Sequence, residues 1–310
     1  MAKVNFKYMK LCLVGIVLFF MKLGFAQENA SADILKKHLS EIITPDVYRN
    51  YKNTHELNRV SEYIKTEFAK VTESVRFQNY DVDGKTYRNV IGSIGVSNSI
   101  RIIVGAHYDV CGDQDGADDN GSGISGLLEL ARLFKDCDLK YRIDFLAYTL
   151  EEPPFFRTEH MGSYIHAKSL VDSKVDVYGM ISLEMIGYFS NKPNSQAYPD
   201  PRLKALYGTK GDFITLVSKP KQKPFASNFA NQFQKVSITK AVFFNNGATN
   251  GSDFSDHLNY WKFNISALMI TDTAFLRNFN YHKSSDTIET LDFDKMASVV
   301  DDTYKAILQL

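Results

Sequence analysis

Apolar and polar positions follow two periods along this chain. A repeat of three to four residues predicts amphipathic helices at residues 32–51, 56–71, 122–136, 162–171, 225–234 and 293–310. Short apolar or alternating runs between turn residues predict strands at 75–82, 86–95, 99–110, 141–152, 175–189, 213–218, 240–244 and 265–271. We expect the first three strands to form a β meander.

Strands and helices alternate through most of the sequence, and no repeat, low-complexity block or linker separates them. This order predicts the α/β class, with a mixed, mainly parallel sheet covered by helices on both faces. We predict one domain over residues 27–310.

The first 26 residues have the pattern of a signal peptide: a lysine-rich start, an apolar run at 11–21, and small residues before position 27. A membrane span needs about 20 apolar residues, and Lys22 interrupts this shorter run. We therefore predict a cleaved signal peptide at residues 1–26, export to the periplasm or the medium, and no membrane span after cleavage.

The charge of the chain is balanced, with 36 basic and 36 acidic residues. Removal of residues 1–26 takes away four lysines and no acid, so 32 basic and 36 acidic residues remain, a net charge of −4. A chain without basic excess does not attract nucleic acid, and we predict no such partner. The sequence predicts no oligomeric state.

Two cysteines follow the leader, Cys111 after a predicted strand and Cys137 at the end of the predicted helix 122–136. That helix is about 22 Å long, whereas a disulfide needs Cα atoms within about 7 Å. We predict two free thiols and interpret Cys111 as a packing residue.

Three predicted strands end in acidic residues or histidine, in GAHYD (105–109), TLEE (149–152) and SLEM (182–185). Ligands gather at the carboxyl ends of strands in such sheets. A buried strand has no structural reason to end in two glutamates, so the three ends together predict a cation site.

The loop GADDNGSGISG (116–126) fits two binding motifs, for dinucleotides and for calcium. Ten residues separate its glycine fingerprint from the preceding strand, and four of them are aspartates that would repel a pyrophosphate. A calcium loop of the EF-hand type joins two helices, but a predicted strand precedes this loop. We interpret it as a metal loop whose glycines allow a tight turn and close packing.

The ordered motifs resemble the zinc exopeptidase family of bacterial secreted aminopeptidases, which includes glutamate carboxypeptidases and has glutaminyl cyclases as relatives. The resemblance covers residues 102–296. Its motifs are GAHYD (105–109), GADDNGSG (116–123), TLEE (149–152), SLEMIGY (182–188), SDH (255–257) and YHKSSDT (281–287).

The resemblance implies two zinc ions, although one is possible. His107 and Glu184 would complete one site, Glu152 and His282 the other, and Asp119 would bridge them. Imidazole and carboxylate ligands suit zinc, and a pair of ions needs several anionic neighbours.

Three further residues receive roles by the same resemblance. Asp109 would accept a hydrogen bond from the imidazole of His107. Glu151 would be the general base that takes a proton from the zinc-bound water and returns it to the leaving amine. Tyr281 would stabilise the oxyanion. Asp256 and His257, in the SDH motif, are predicted to support the ligands or the surrounding structure rather than to bind the metal themselves.

Two features depart from the family pattern. Glu184 stands where most members have aspartate, so the second ion could bind differently or be absent. The stretch EEPPFFRTEHMGS (151–163) replaces a shorter one and is expected to shape the rim of the substrate pocket.

The resemblance implies a metal-dependent aminopeptidase acting on peptides with a free N-terminus. One alternative is a glutaminyl-cyclase-like acyltransferase, with a single zinc held by Asp119, Glu152 and His282. The other is a non-catalytic binding module on the same fold, which the presence of Glu151 and all five ligands disfavours.

Overall fold

The structure is a computed structural model that describes residues 29–245 and 251–310. The predicted signal peptide, residues 1–26, lies outside the described residues. No helix within the described ranges has both the length and the apolar character needed to cross a membrane.

One mixed sheet forms the centre of the described chain. Its strands are β1 (Ser74–Val82), β2 (Lys85–Ile94), β3 (Arg101–His107), β4 (Arg142–Tyr148), β5 (Val177–Glu184), β6 (Ile214–Ser218), β7 (Ala241–Asn245) and β8 (Ala267–Thr271). The spatial order is β1-β2-β4-β3-β5-β8-β6-β7. The pairs β3–β4, β3–β5, β5–β8 and β6–β7 are parallel, and the other three are antiparallel. The predicted fold class is confirmed.

Helices cover both faces of this sheet. They are α1 (Ala32–Ile42), α2 (Thr54–Ala69), α3 (Gly123–Leu133), α4 (Gly162–Asp172), α5 (Leu203–Tyr207), α6 (Phe225–Val236), α7 (His257–Lys262) and α8 (Phe293–Leu308). The larger apolar core lies under α1, α2, α3, α6 and α8, and the smaller one under α4 and α7. In β3, Ile102 and Val104 enter the first core and Ile103 the second, as the two-residue period of a strand requires.

The predicted meander is wrong in its third strand. β2 pairs with β4, and β3 lies beyond β4, parallel to both β4 and β5. The reason is the composition of β3, whose apolar run is buried on both faces. Such a run belongs in the centre of a parallel sheet, whereas a meander strand with one solvated face alternates apolar and polar residues.

The first helix is shorter than its predicted range of 32–51. It ends at Ile42, two residues before the turn that contains Pro45 and Asp46, which has a positive φ of 59°. Proline disfavours the helical conformation in the residue before it. The helix therefore ends before Pro45, although the apolar periodicity of the sequence continues further. α3 begins at Gly123 and follows an irregular turn at Ala117–Ser122.

Candidate active site

The carboxyl ends of three neighbouring strands bring the acidic motifs together. His107 ends β3 and Glu184 ends β5, while Glu151 and Glu152 lie in the loop after β4. Because β4, β3 and β5 are adjacent and parallel, their carboxyl ends meet at one edge of the sheet.

Asp119 is presented by the irregular turn before α3. Gly116 enters this turn with a φ of 57°, and a Cβ there would lie 2.3 Å from the carbonyl oxygen of Asp119. The N–H groups of Asp118 and Asp119 each donate to the carboxylate of Asp286 at 3.0 Å. Glycine and Asp286 together fix the direction in which Asp119 points.

Close packing explains the later glycines of the same loop. A Cβ at Gly123 would lie 2.6 Å from the carbonyl oxygen of Leu183, and one at Gly126 would lie 2.8 Å from Ile186. The start of α3 therefore rests directly on the end of β5, which agrees with the predicted role of these glycines.

Asp119 lies between two groups of side chains, and together they form the candidate metal centre. We call the two groups its inner and outer ends. At the inner end, the Nε2 atom of His107 is 3.4 Å from Asp119 Oδ1 and 3.5 Å from Glu184 Oε2. At the outer end, the Nε2 atom of His282 is 3.2 Å from Asp119 Oδ2 and 3.3 Å from Glu152 Oε2. All five predicted metal ligands therefore converge.

The longer side chain of Glu184 fits the inner end. The Oγ atom of Ser255 donates to Glu184 Oε2 at 2.7 Å, and Ser255 is itself fully buried. His107, Asp119 and Glu184 each offer a ligand atom within 4.8 Å of the others. The substitution of glutamate for aspartate therefore keeps the carboxylate within reach of the other two ligands.

The donor set fits a metal ion. Asp119 Oδ2 and Glu152 Oε1 are buried and have no hydrogen-bond partner among the described residues. A buried carboxylate oxygen without a donor is costly unless a cation compensates it. Two imidazoles and three carboxylates are ligands that zinc accepts.

The electrostatics of the site also favour a cation. Burial raises the pKa of Glu152 to about 7, and the neighbouring Asp119 adds to this rise. Burial lowers the pKa of His107, but Glu184 and Glu151 outweigh it, and the net pKa lies well above the ordinary value. A bound dication stabilises the carboxylates and replaces the imidazole protons.

Glu151 lies beside the ligands and is positioned by Asp109. Glu151 Oε2 is 3.9 Å from His107 Nε2. The backbone N–H groups of Glu151 and Glu152 each donate to the Asp109 carboxylate at 3.2 Å. The Nδ1 atom of His107 is 3.1 Å from the backbone carbonyl oxygen of Asp109 and 3.6 Å from its carboxylate Oδ1. Asp109 thus holds β3 and the glutamate loop together.

Tyr281 connects the outer end to an apolar cavity. Its ring stacks on His282 with centroids 3.8 Å apart. The cavity has a volume of about 830 Å³ including its open mouth, and Glu184 also lines it. Its other walls are largely apolar and include Tyr198, Phe213, Val217, Phe254, Met269 and Phe275.

The insertion predicted at the rim packs beside this cavity. Phe155 is buried against Tyr51, whereas the ring of Phe156 meets the cavity residue Phe254 edge-on at 5.5 Å. Arg157 forms an ion pair of 2.6 Å with Asp253. The insertion therefore supports one wall of the cavity.

Three residues near the centre were not singled out as functional from the sequence. Ser255 and Asp286 lie within quoted motifs, SDH and YHKSSDT, but their contacts join distant parts of the chain. Cys111, which we interpreted as a packing residue, has its Sγ within 4.8 Å of ligand atoms of Glu152 and His282. The proximity of Cys111 to the metal motif was the available signal.

Of the SDH motif, Ser255 contacts a predicted ligand, Glu184, whereas Asp256 and His257 are not among the described residues whose ligand atoms converge. Asp256 and His257 are fully buried. His257 Nε2 donates to the carbonyl oxygen of Ser252 at 2.9 Å, which fits the structural role expected for it. Cys111 and Cys137 are free thiols, as predicted.

Comparison with known proteins shows the family of the chain. Residues 89–307 match the model of peptidase family M28. The chain belongs to this family. An uncharacterized protein of Escherichia coli K12, YfbL, is 40% identical over 309 residues, which cover 93% of this chain and 93% of that protein.

Solved structures confirm the zinc exopeptidase fold. The LapA aminopeptidase of Legionella pneumophila superposes with a TM-score of 0.69 at 19% identity, over 90% of this chain and 72% of that one. A glutaminyl cyclase of Bacteroides thetaiotaomicron superposes with a TM-score of 0.68 at 18% identity, over 91% and 99%. Membership of M28 supports a metal-dependent, peptidase-like activity and implies zinc as the metal.

Proposed function

We propose that this M28 protein is a zinc-dependent aminopeptidase that removes N-terminal residues from peptides. The observation that carries the proposal is the position of Glu151 beside the converging ligands, 3.9 Å from His107 Nε2. The ligand Glu184 also lines the apolar cavity. His107, Asp119, Glu152, Glu184 and His282 would hold the metal. We propose two ions, one at each end of the centre, with Asp119 between them.

Zinc, when bound, supplies Lewis-acid activation of water and of the scissile carbonyl. Glu151 is the proposed general base, which takes a proton from the attacking water and delivers it to the leaving amine. Burial, aided by Glu152 and Glu184, raises the pKa of Glu151 well above its ordinary value, while His107 lowers it. A raised pKa suits a carboxylate that must accept a proton near neutral pH.

Tyr281 is the proposed donor to the oxyanion that develops during the attack. Burial raises the pKa of its phenol, and the anionic neighbours Asp119 and Glu152 raise it further. The hydroxyl therefore stays protonated and able to donate. Donors that act on the developing charge are worth about 10²–10³ in rate.

The cavity supports a preference for large apolar N-terminal residues. Aromatic and aliphatic side chains line it, and Glu184 and Tyr281 connect it to the metal centre. A side chain buried there gains about 1.5–3 kcal/mol from the hydrophobic effect. Peptides that begin with leucine or phenylalanine should therefore be cleaved faster than those that begin with aspartate or lysine.

A panel of N-terminal amino-acid amides, assayed with and without chelator, tests this function. We expect chelator-sensitive release of the N-terminal residue, fastest for apolar residues. Glutamine peptides belong in the panel, because the glutaminyl-cyclase-like alternative predicts cyclisation without cleavage and one zinc per chain. Cyclisation without cleavage would exclude the aminopeptidase, and failure of every substrate would leave a binding module.

Export of the protein is a separate proposal. The pattern of residues 1–26 supports a cleaved signal peptide and a mature domain that begins at residue 27. Sequencing the N-terminus of the protein recovered from the periplasm or medium tests it, since retention of residue 1 would contradict cleavage.

A further inference from the structure

A cysteine stands at the outer end of the centre. The Sγ atom of Cys111, a carboxylate oxygen of Glu152 and a ring nitrogen of His282 all lie within 4.8 Å of one another. Thiolate, imidazole and carboxylate are all zinc ligands, and around one zinc ion they sit about 2.0–2.3 Å from the metal. Ligand atoms at such distances from one ion lie within about 4.6 Å of one another, which is close to the separations already present.

The loop that contains Cys111 is held on both sides. The N–H of Val110 donates to the carbonyl oxygen of Arg49 at 3.3 Å. The side-chain amide of Asn50 donates to the carbonyl oxygen of Gly112 at 2.9 Å. The thiol is therefore placed beside the ligands by contacts of its own loop with the segment after α1.

An independent observation is that buried carboxylate oxygens beside the thiol have no hydrogen-bond donor among the described residues. Glu152 is 3% exposed, and its Oε1 atom has no hydrogen-bond partner among the described residues. Asp119 Oδ2, 3.2 Å from His282 Nε2, is likewise buried without a hydrogen-bond partner there. Asp119 Oδ2, Glu152 Oε2 and the imidazole of His282 therefore converge beside the thiol.

We propose that Cys111 is a direct thiolate ligand of the metal ion at the outer end. Zinc binding displaces the thiol proton to solvent, and the thiolate sulfur takes its place as a donor to the ion. This proposal rests on the metal centre of the proposed function, but not on the aminopeptidase activity.

The added ligand gives the two ends different roles. Asp119, Glu152, His282 and Cys111 are four protein ligands, the number that closes a tetrahedral structural site. The inner end, with His107, Asp119 and Glu184, has three, which leaves the open position that catalytic zinc sites keep. Glu151 borders that inner end, so the proposed base would lie next to the open position.

Cobalt substitution tests the thiolate directly. The purified protein is stripped with chelator and reconstituted with Co²⁺, whose bond to a thiolate gives a sulfur-to-metal charge-transfer absorption in the near ultraviolet. We expect this band in the wild type, its loss in Cys111→Ser, and its retention in the matched control Cys137→Ser. Visible cobalt bands that persist in Cys111→Ser would show that the ion is still bound.

Absence of the band from the cobalt-saturated wild type, or its persistence in Cys111→Ser, would overturn the proposal. If Cys111→Ser does not fold, alkylation of Cys111 in the Cys137→Ser protein decides instead. We expect zinc to slow that alkylation at least tenfold, and an unchanged rate would also overturn the proposal. Neither measurement depends on turnover, so loss of the proposed function and loss of this ligand are distinguishable.

Discussion

The inner and outer ends of the metal centre are built from different kinds of structure. At the inner end, His107 and Glu184 terminate two central strands, and their side chains are 1% and 8% exposed. At the outer end, the imidazole of His282 comes from a loop and is 28% exposed. The central strands therefore fix the inner end, while a loop presents the partly exposed imidazole of the outer end.

This difference indicates that the two ends of the centre have different functions. Three protein ligands and the nearby Glu151 equip the inner end for chemistry. At the outer end, His282 stacks on Tyr281, which lines the cavity, so this end lies next to the proposed substrate pocket. Variants at the two ends should therefore differ in what they remove.

Glu151→Gln gives the largest expected effect, and it separates chemistry from metal binding. The amide cannot accept the proton from water, so kcat should fall by about 10²–10⁴, while the metal content stays unchanged. Steady-state kinetics and elemental analysis measure the two quantities. Retained turnover in this variant would refute the assignment of the base.

His107→Ala and His282→Ala make the same change at opposite ends. Each should lower the zinc content, and each leaves buried carboxylates without their imidazole partner, which typically costs about 3–5 kcal/mol. The loss of stability of the metal-free protein should be larger for His107→Ala, whose imidazole is 1% exposed, than for His282→Ala, whose imidazole is 28% exposed.

Metal analysis and urea unfolding in chelator check this pair. Full zinc occupancy in His282→Ala would place the ligand elsewhere. Equal losses of unfolding free energy in the two variants would contradict the difference between a sheet-borne and a loop-borne end.

The inner end was the easier one to predict from sequence. His107 and Glu184 stand at the ends of apolar strands, and the rule that ligands gather at carboxyl ends locates both. The position of β3 in the sheet was predicted wrongly, because the sequence pattern of one strand does not show which strands pair with it. The prediction of the site did not depend on that error. It used the residues at which each strand ends, not the order of β3 and β4 in the sheet.

The outer end and its supports depend on contacts between distant segments. His282 is 130 residues from Glu152 in sequence, and its backbone has a positive φ of 57° that no pattern in the sequence indicates. Asp286 holds Asp119 across 167 positions, and Cys111 reaches His282 only through folding. The family resemblance supplied His282, but the residues around it became visible only in three dimensions.

Ser255→Ala tests how firmly the inner end is held. The serine hydroxyl donates to Glu184 at 2.7 Å, and loss of such an outer contact lowers metal affinity or activity about 10–100-fold. Ser125→Ala is the matched control, because this buried hydroxyl donates to the carbonyl oxygen of Gly121 instead. Zinc titration against a competing chelator measures the affinity, and equal values in both variants would contradict the role of Ser255.

Acid sensitivity near the inner end gives the smallest expected effect. His257 begins α7, two residues after Ser255, and burial lowers its pKa from 6.5 to about 4. Between these values the unfolded chain binds more protons than the folded one. The contribution of His257 to stability is therefore complete above about pH 6.5 and is lost as the pH falls towards 4.

The expected slope from this one group is at most about 1.4 kcal/mol per pH unit. His257→Gln should reduce the slope of unfolding free energy against pH, measured by urea unfolding in chelator, because its amide can still donate to Ser252 without titrating. The slope should not vanish, since burial also lowers the pKa of His166, to about 3. An unchanged slope in His257→Gln would mean that the wild-type imidazole has the same pKa in the folded and unfolded states. The pH dependence of stability would then come from other groups.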